Sequence, residues 1–527
     1  MANRYWVTGG DGNWNSTTNW SATSGGASGA SVPGAADAAL LDASSGSGTV
    51  TLDISPDIQT LTCTGFTGTL AFGTNTISLN STGTIFTGAT TMTVTGTPQI
   101  ICTNSSATAR TITPGAVTEA NSISFRVTAG TGTFTISSTT AIRNLDFTDG
   151  VNPTGYAGAA TFGTMTIYGD FKASTGMTCA ASANTTTFAA TSGTKTINTA
   201  GVTFDRPFTF NGVGGTWQLQ AALTSGATRQ LNLSNGTLDL NGYTATFGNF
   251  NSNNSNIRTL AFGSTGKIVL TATTGNPLSM STATNFTYTG TSRIEVTASG
   301  AGRTITPPAT GAVESNALNI YVTTGSDTLT VSGAARFLNF DLTGFAGTLT
   351  YSSNARYFGD LVFSSGMTLG SIASTGFIFA KTSGTQTITS AGKTIGNGVT
   401  VDAPGATVSL QDALSLTGTL TLTNGTLQLK AGTTSTVGSF ATSGTNPKFL
   451  TSTTFGSQAT ISATTGTFAV DYLTVQDNIA TGGATWDALA ITNVDAGNNT
   501  GWLFSTTPSI GNEITMRLRS FTQPRRF

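Results

Sequence analysis

The sequence predicts an all-β chain wound as an elongated parallel β-solenoid (β-helix), with two tandem repeats of about 190 residues and capped ends. Three observations predict it. Charged residues are only 9% while hydrophobic residues reach 37%, with 65 Gly and 30 Phe; typical globular chains carry roughly a quarter charged residues. This is too apolar for a disordered linker. Strand-forming Thr, Val, Ile and Phe abound, Gly and Asn suit tight turns, and the helix formers Glu and Lys are scarce. Second, short runs such as TTTF, KTIN, VTF, FTF, TWQLQ, RQLNL and TLDL follow one another with short polar gaps. Third, ordered landmarks return at one nearly constant offset.

The segments follow in order. Residues 1–68 hold Trp6, Trp14 and Trp20, three of the six tryptophans, and the first coils. Residues 69–258 and 259–448 are the two repeats. TLAFG (69–73) returns at 259–263, and RTITP (110–114) at 303–307. Glu119 and Asn121 return as Glu314 and Asn316, RNLDFTDG (143–150) as LNFDLTGF (338–345), and YGDF (168–171) as FGDL (358–361). SGTKTI (192–197) returns as SGTQTI (383–388), and SNGTLDL (234–240) as TNGTLQL (423–429), with all offsets between 189 and 195 residues. Residues 449–504 form a partial third repeat with a C-terminal cap, where DYLTVQD (471–477) echoes NLDFTDG. Residues 505–527 form a docking tail with Arg517, Arg519, Arg525, Arg526 and Phe527, and strand-like alternation around Met516 and Leu518.

Three runs plus turns make a coil of about 20–25 residues, within the range of solenoid repeats. In TGTLTLTNGTLQL the Leu residues face one way and Thr and Gln the other. A β-hairpin array or stacked antiparallel sandwiches would alternate similarly; the low charge, the fine period and the lack of regular two-residue hairpin turns favour the solenoid. A solenoid's two open ends must be covered, or molecules join end to end. Trp6, Trp14, Trp20, Trp486 and Trp502 are the expected caps. The competing use of the N-terminal rings is stacking on a sugar, with Asp11, Asn13 and Asn19 as hydrogen-bonding neighbours.

The stretch YWVTGGDGNWNSTTNW, leading through Pro33, Asp37 and Asp42 into the first strand, resembles the opening of phage-encoded and surface-exposed β-solenoid proteins. LTVQDNIATGGATWDALAITNVDAGNNTGWLF (473–504) resembles their closing segment. The resemblance implies a virion structural or surface-adhesive setting and carries no catalytic residue.

The chemistry expected is correspondingly sparse. His is absent, which removes the commonest general base and metal ligand. Cys63, Cys102 and Cys179 are too few and too widely spaced for a disulfide framework and read as small buried side chains. For sugar cleavage, which needs paired carboxylates, the candidates are Asp146, Asp149, Asp170, Asp341 and Asp360. Asp146 matches Asp341 and Asp170 matches Asp360, and duplicated acids suit turn closure better than catalysis. No phosphate-binding loop or CxxC pair occurs. The expectation is therefore no enzyme, no catalytic residue, no cofactor and no metal.

A net charge of -1 gives no field to attract nucleic acid or an anionic membrane. The opening MANRYWVTGG has no apolar run of a secretory signal, although the Thr, Ser and Asn texture suits work outside a cell. A virion part assembled in the host cytoplasm and exposed on the particle reconciles the two. The expected function is a phage virion fibre, spike or decoration protein on capsid or tail, with an adhesive or particle-stabilising role. Its expected partners are other virion proteins, further copies of itself (a trimer by analogy with phage fibres) and a host surface glycan. The alternatives are a bacterial surface adhesin or filament subunit, and a tailspike depolymerase.

Overall fold

In the computed structural model, residues 1–137, 139–372 and 376–505 are described. These residues form an all-β parallel solenoid of about 21 turns with almost no helix. They divide into two compact units: Met1–Ser252, Asn256–Val269 and Asn285–Ser292 in one, and Asn253–Ser255, Leu270–Thr284 and the described residues from Arg293 on in the other.

The first unit begins with the strand Ala2–Trp6, which pairs antiparallel with Trp20–Ser21 and parallel with Asp37–Leu40. From there the early turns contribute short strands to three parallel ladders. One ladder climbs through Asp37–Leu40, Thr60–Thr62, Gly83–Thr87, Arg110–Thr113, Phe134–Ile136 and Ala159–Phe162. A second runs through Thr49–Thr51, Thr69–Ala71 and Thr93–Thr95. The third runs through Ile77–Leu79, Gln99–Cys102, Ile123–Val127 and Thr140–Asp146. The alternation that the sequence carries is what fills the core: in 417–429, Leu420, Leu422, Leu427 and Leu429 are buried.

Later turns are simpler. The 12-residue strand Phe208–Leu219 bends at a corner and pairs with both Thr186–Phe188 and Thr194–Asn198 below it. In the second unit Val399–Leu410 does the same with Phe377–Phe379 and Gly384–Thr389. Aromatic rings at one register stack from turn to turn, as in Phe337, Tyr357 and Phe379, whose neighbouring centroids are 5.3 Å apart. Outside, polar ladders cross-link the turns: Asp402 accepts from Asn424 at 2.7 Å, and Asn424 accepts from Asn446 at 2.6 Å.

Some of the recurring landmarks share burial or a type of hydrogen-bond partner. Leu70 and Leu260 are both fully buried. Thr69 and Thr259, beside them, bond to the Thr hydroxyls of the next turn, Thr93 at 2.6 Å and Thr287 at 2.8 Å. Arg110 and Arg303 are both buried at the head of RTIT strands. Glu119 accepts from the Thr191 hydroxyl, and Glu314 from that of Thr382. One expectation needs correction. Cys63 and Cys102 are buried, but Cys179 is only partly so; among the described residues its two-residue strand pairs with Ala159–Phe162 alone.

Candidate functional site

The tryptophans form two clusters. Trp6, Trp14 and Trp20 are fully buried. Trp20 meets the other two edge to face, with centroids 5.4 and 4.8 Å away, and its indole donates to the Trp14 carbonyl at 2.8 Å. No ring here offers an open face to a sugar. The polar neighbours are also occupied: Asn19 donates to the Asn13 carbonyl at 2.7 Å, and Asp11 accepts from the Thr49 amide at 2.7 Å. Asp37 and Asp42 likewise close turns, accepting from the amides of Gly34 and Ser44.

In the last turns, Phe468, Trp486 and Trp502 sit in register on successive strands. The two indoles lie 5.2 Å apart, and Trp502 donates to Asn478 at 2.9 Å. Trp217, in the middle of the sequence, is equally buried, so burial alone does not set the five apart. Arg517, Arg519, Arg525, Arg526 and Phe527 lie outside the described residues.

The carboxylates close turns or tie one coil to the next. Asp146 accepts from the Thr148 amide and hydroxyl and from Arg126 at 3.2 Å. Asp341 repeats the turn with Thr343. Asp170 accepts from the Thr196 amide and hydroxyl, and Asp360 from the Thr387 amide. Asp149 folds onto its own loop, accepting from the amides of Val151 and Asn152, and these bonds hold its carboxyl below the usual range. Asp146 and Asp170 do line one small groove with Gln99, Arg126, Asn144 and Lys172, but each has an oxygen committed to the main chain. Among the described residues, no group of three or more His, Cys, Asp or Glu side chains stands where it could hold a metal ion. Among the described residues, no helix is long and apolar enough to cross a membrane.

Sequence reasoning missed a set of buried cations. Arg110 donates to the carbonyls of Asn104 and Ala129, both at 2.8 Å, under the rings of Phe134 and Tyr156. Arg206 reaches the carbonyls of Phe162 and Gly163, Arg258 those of Ser252 and Asn256, and Lys448 those of Gly444 and Asn446. Burial pulls Arg206 and Arg258 down to about 10, so both stay charged at neutral pH. They hold corners and face no open space.

A groove of about 650 Å³ lies in the second unit, lined by Val313, Glu314, Ser315, Arg336, Arg356, Phe358 and Thr382. The short turn Glu314–Asn316 forms one wall, and the strands Arg336–Asp341 and Ala355–Tyr357 form the other. Under it, Phe358 packs with Ala317 and Ala380. No family model, curated protein or solved structure matches the chain.

Proposed function

We propose that the chain is a phage virion structural protein, a fibre, spike or decoration on capsid or tail, with an adhesive or particle-stabilising role. The observation that carries this reading is a parallel solenoid whose candidate acids close turns or tie adjacent coils and whose buried cations are spent on corners. Almost all of its chemistry goes into holding turns together, as a mechanical component requires. The outward Thr, Ser and Asn ladders with little charge suit a surface exposed to solvent, since like charges in register would repel.

Two structural proposals accompany it. The matched settings of Leu70 with Leu260, Arg110 with Arg303 and Glu119 with Glu314 support a tandem duplication. The tryptophan clusters in the first and last turns are proposed as caps over the core. The Arg-bearing tail, 505–527, is proposed as the attachment segment to a sister chain or another virion protein, because Arg suits interface ion pairs.

Mass spectrometry of gradient-purified particles tests the reading. The expected result is the chain in the particle band at a stoichiometry fixed relative to the major capsid protein. Recovery only with the cell envelope favours the surface-adhesin alternative and overturns this one. Release of sugars from host polysaccharide by the purified chain favours the depolymerase.

A further inference from the structure

The two repeats differ sharply at one place. In the first, Ala141 pairs in register with Thr166 of the next turn. In the second, the corresponding positions, five residues before Asp341 and two before Phe358, are Arg336 and Arg356, again in register. Two guanidiniums on adjacent strands repel each other and weaken the ladder. Burial, then the charge of Arg356, holds the Arg336 guanidinium below its ordinary value. The first repeat shows that the fold does not need this pair.

Neither arginine is saturated. A guanidinium carries five N–H donors. Among the described residues, Arg336 donates to the Ala312 carbonyl. Arg356 has an ion pair with Asp402 at 3.6 Å, too long for a hydrogen bond. Glu314, across the groove, is engaged elsewhere: it lies 3.6 Å from Lys381 and accepts from Thr382. Both arginines line the groove, whose volume of about 650 Å³ suits a small ligand or one or two sugar units.

We propose that this groove is a binding site for an acidic saccharide, with the carboxylate of a uronic acid held between Arg336 and Arg356. Two planar forks one strand spacing apart, about 4.8 Å, can each donate to one carboxylate. Ser315 supplies a hydroxyl on the facing wall, and half-exposed Val313 gives an apolar edge. The site stands on the groove alone and does not require the chain to be a virion part, so a failure of either reading leaves the other standing.

The test is electrophoresis of the purified full chain in native gels containing polygalacturonate or neutral dextran. The double variant Arg336→Ala with Arg356→Thr installs the residue types of the first repeat, so it is expected to fold; circular dichroism checks that. Arg293→Ala is the charge control, since Arg293 pairs with Glu295 and stacks on Tyr321, apart from the groove lining. Expected is retardation by polygalacturonate but not dextran, affinity reduced about ten-fold or more in the double variant, and near-normal affinity in the control. Competition by galacturonate alone assigns the site to the sugar acid. Competition by inorganic sulfate at equal strength means any oxyanion suffices and overturns the saccharide. Equal retardation of wild type and double variant, or none at low salt, overturns the site.

Discussion

Arg110, Arg206, Arg258, Arg303 and Lys448 each stand two residues before a buried apolar side chain: Ile112, Phe208, Leu260, Ile305 and Leu450. Strand alternation therefore aims Arg110, Arg258, Arg303 and Lys448 inward, while Arg206 stands at a bend just before its strand. This signal was present in the sequence, but a charged residue is ordinarily read as outward, so the set was not found; its stabilising partners are carbonyls of other residues at the corners, invisible to local pattern. Arg303 is the most committed, donating to both oxygens of Asp327 at 2.8 Å with the two side chains 0% and 2% exposed. Arg303→Met leaves a buried carboxylate unpaired and should cost about 3–5 kcal/mol. Adding Asp327→Leu should recover most of that loss, measured by denaturant midpoints. The cysteines give a second residue-scale prediction. Burial pushes Cys63 and Cys102 up to about 12, while half-exposed Cys179 rises to about 11, with Arg206 partly offsetting burial. A raised value means that the thiol stays protonated at pH 8. Native protein should therefore label at Cys179 alone, slowly, at a rate rising about ten-fold per pH unit up to that value. Peptide mapping after iodoacetamide checks it, and rapid labelling of Cys63 at pH 8 would contradict it.

At the scale of elements, the short runs and their spacing were legible, but their fusion around corners was not. The polar gap between RQLNL and TLDL reads as a break between two runs, yet Gln230–Asp239 continues through it as a single bent strand, as Thr419–Leu429 does through TNG. At the bend the register with the turn below shifts, between Phe210 and Thr216 in one case and between Val401 and Thr407 in the other, and pairing resumes on either side, a property of stacking and not of local sequence. Gly236 and Gly425 make the bend possible, with φ of 75° and 83°. A Cβ would lie 2.2 Å from the Gly212 carbonyl oxygen at the first and 2.1 Å from that of Ala403 at the second. Gly425→Ala should cost about 1–3 kcal/mol from backbone conformation alone, with the steric clash adding to it. Gly392→Ala, at a similar φ of 72° but with open space around the position, should cost less. Thermal unfolding of the two variants side by side makes the comparison; equal losses would mean that close approach between turns is unimportant.

For the molecule as a whole, the fold class was readable because composition, alternation and repeated landmarks all pointed one way. The sequence placed large aromatics in the first and last turns, and the structure buries them. It did not reveal the groove at Arg336 and Arg356, because a ladder brings together residues that are twenty positions apart. Trp20 joins Trp6 and Trp14 in one buried cluster. Trp20→Ala should cost about 3–5 kcal/mol and, if the cluster is a cap, promote end-to-end association visible by size-exclusion chromatography with light scattering. A destabilised variant that remains wholly unassociated would count against capping.

The central claim is that the chain works by being built into a particle. Immunogold electron microscopy of purified particles carrying either the full chain or a chain lacking 505–527 tests it most directly. The account predicts gold at fixed sites on particles with the full chain, and bare particles with the truncated chain, which circular dichroism should find still β-structured. Gold on the host cell surface with none on particles would contradict the account, and equal labelling by the truncated chain would move the attachment away from the tail.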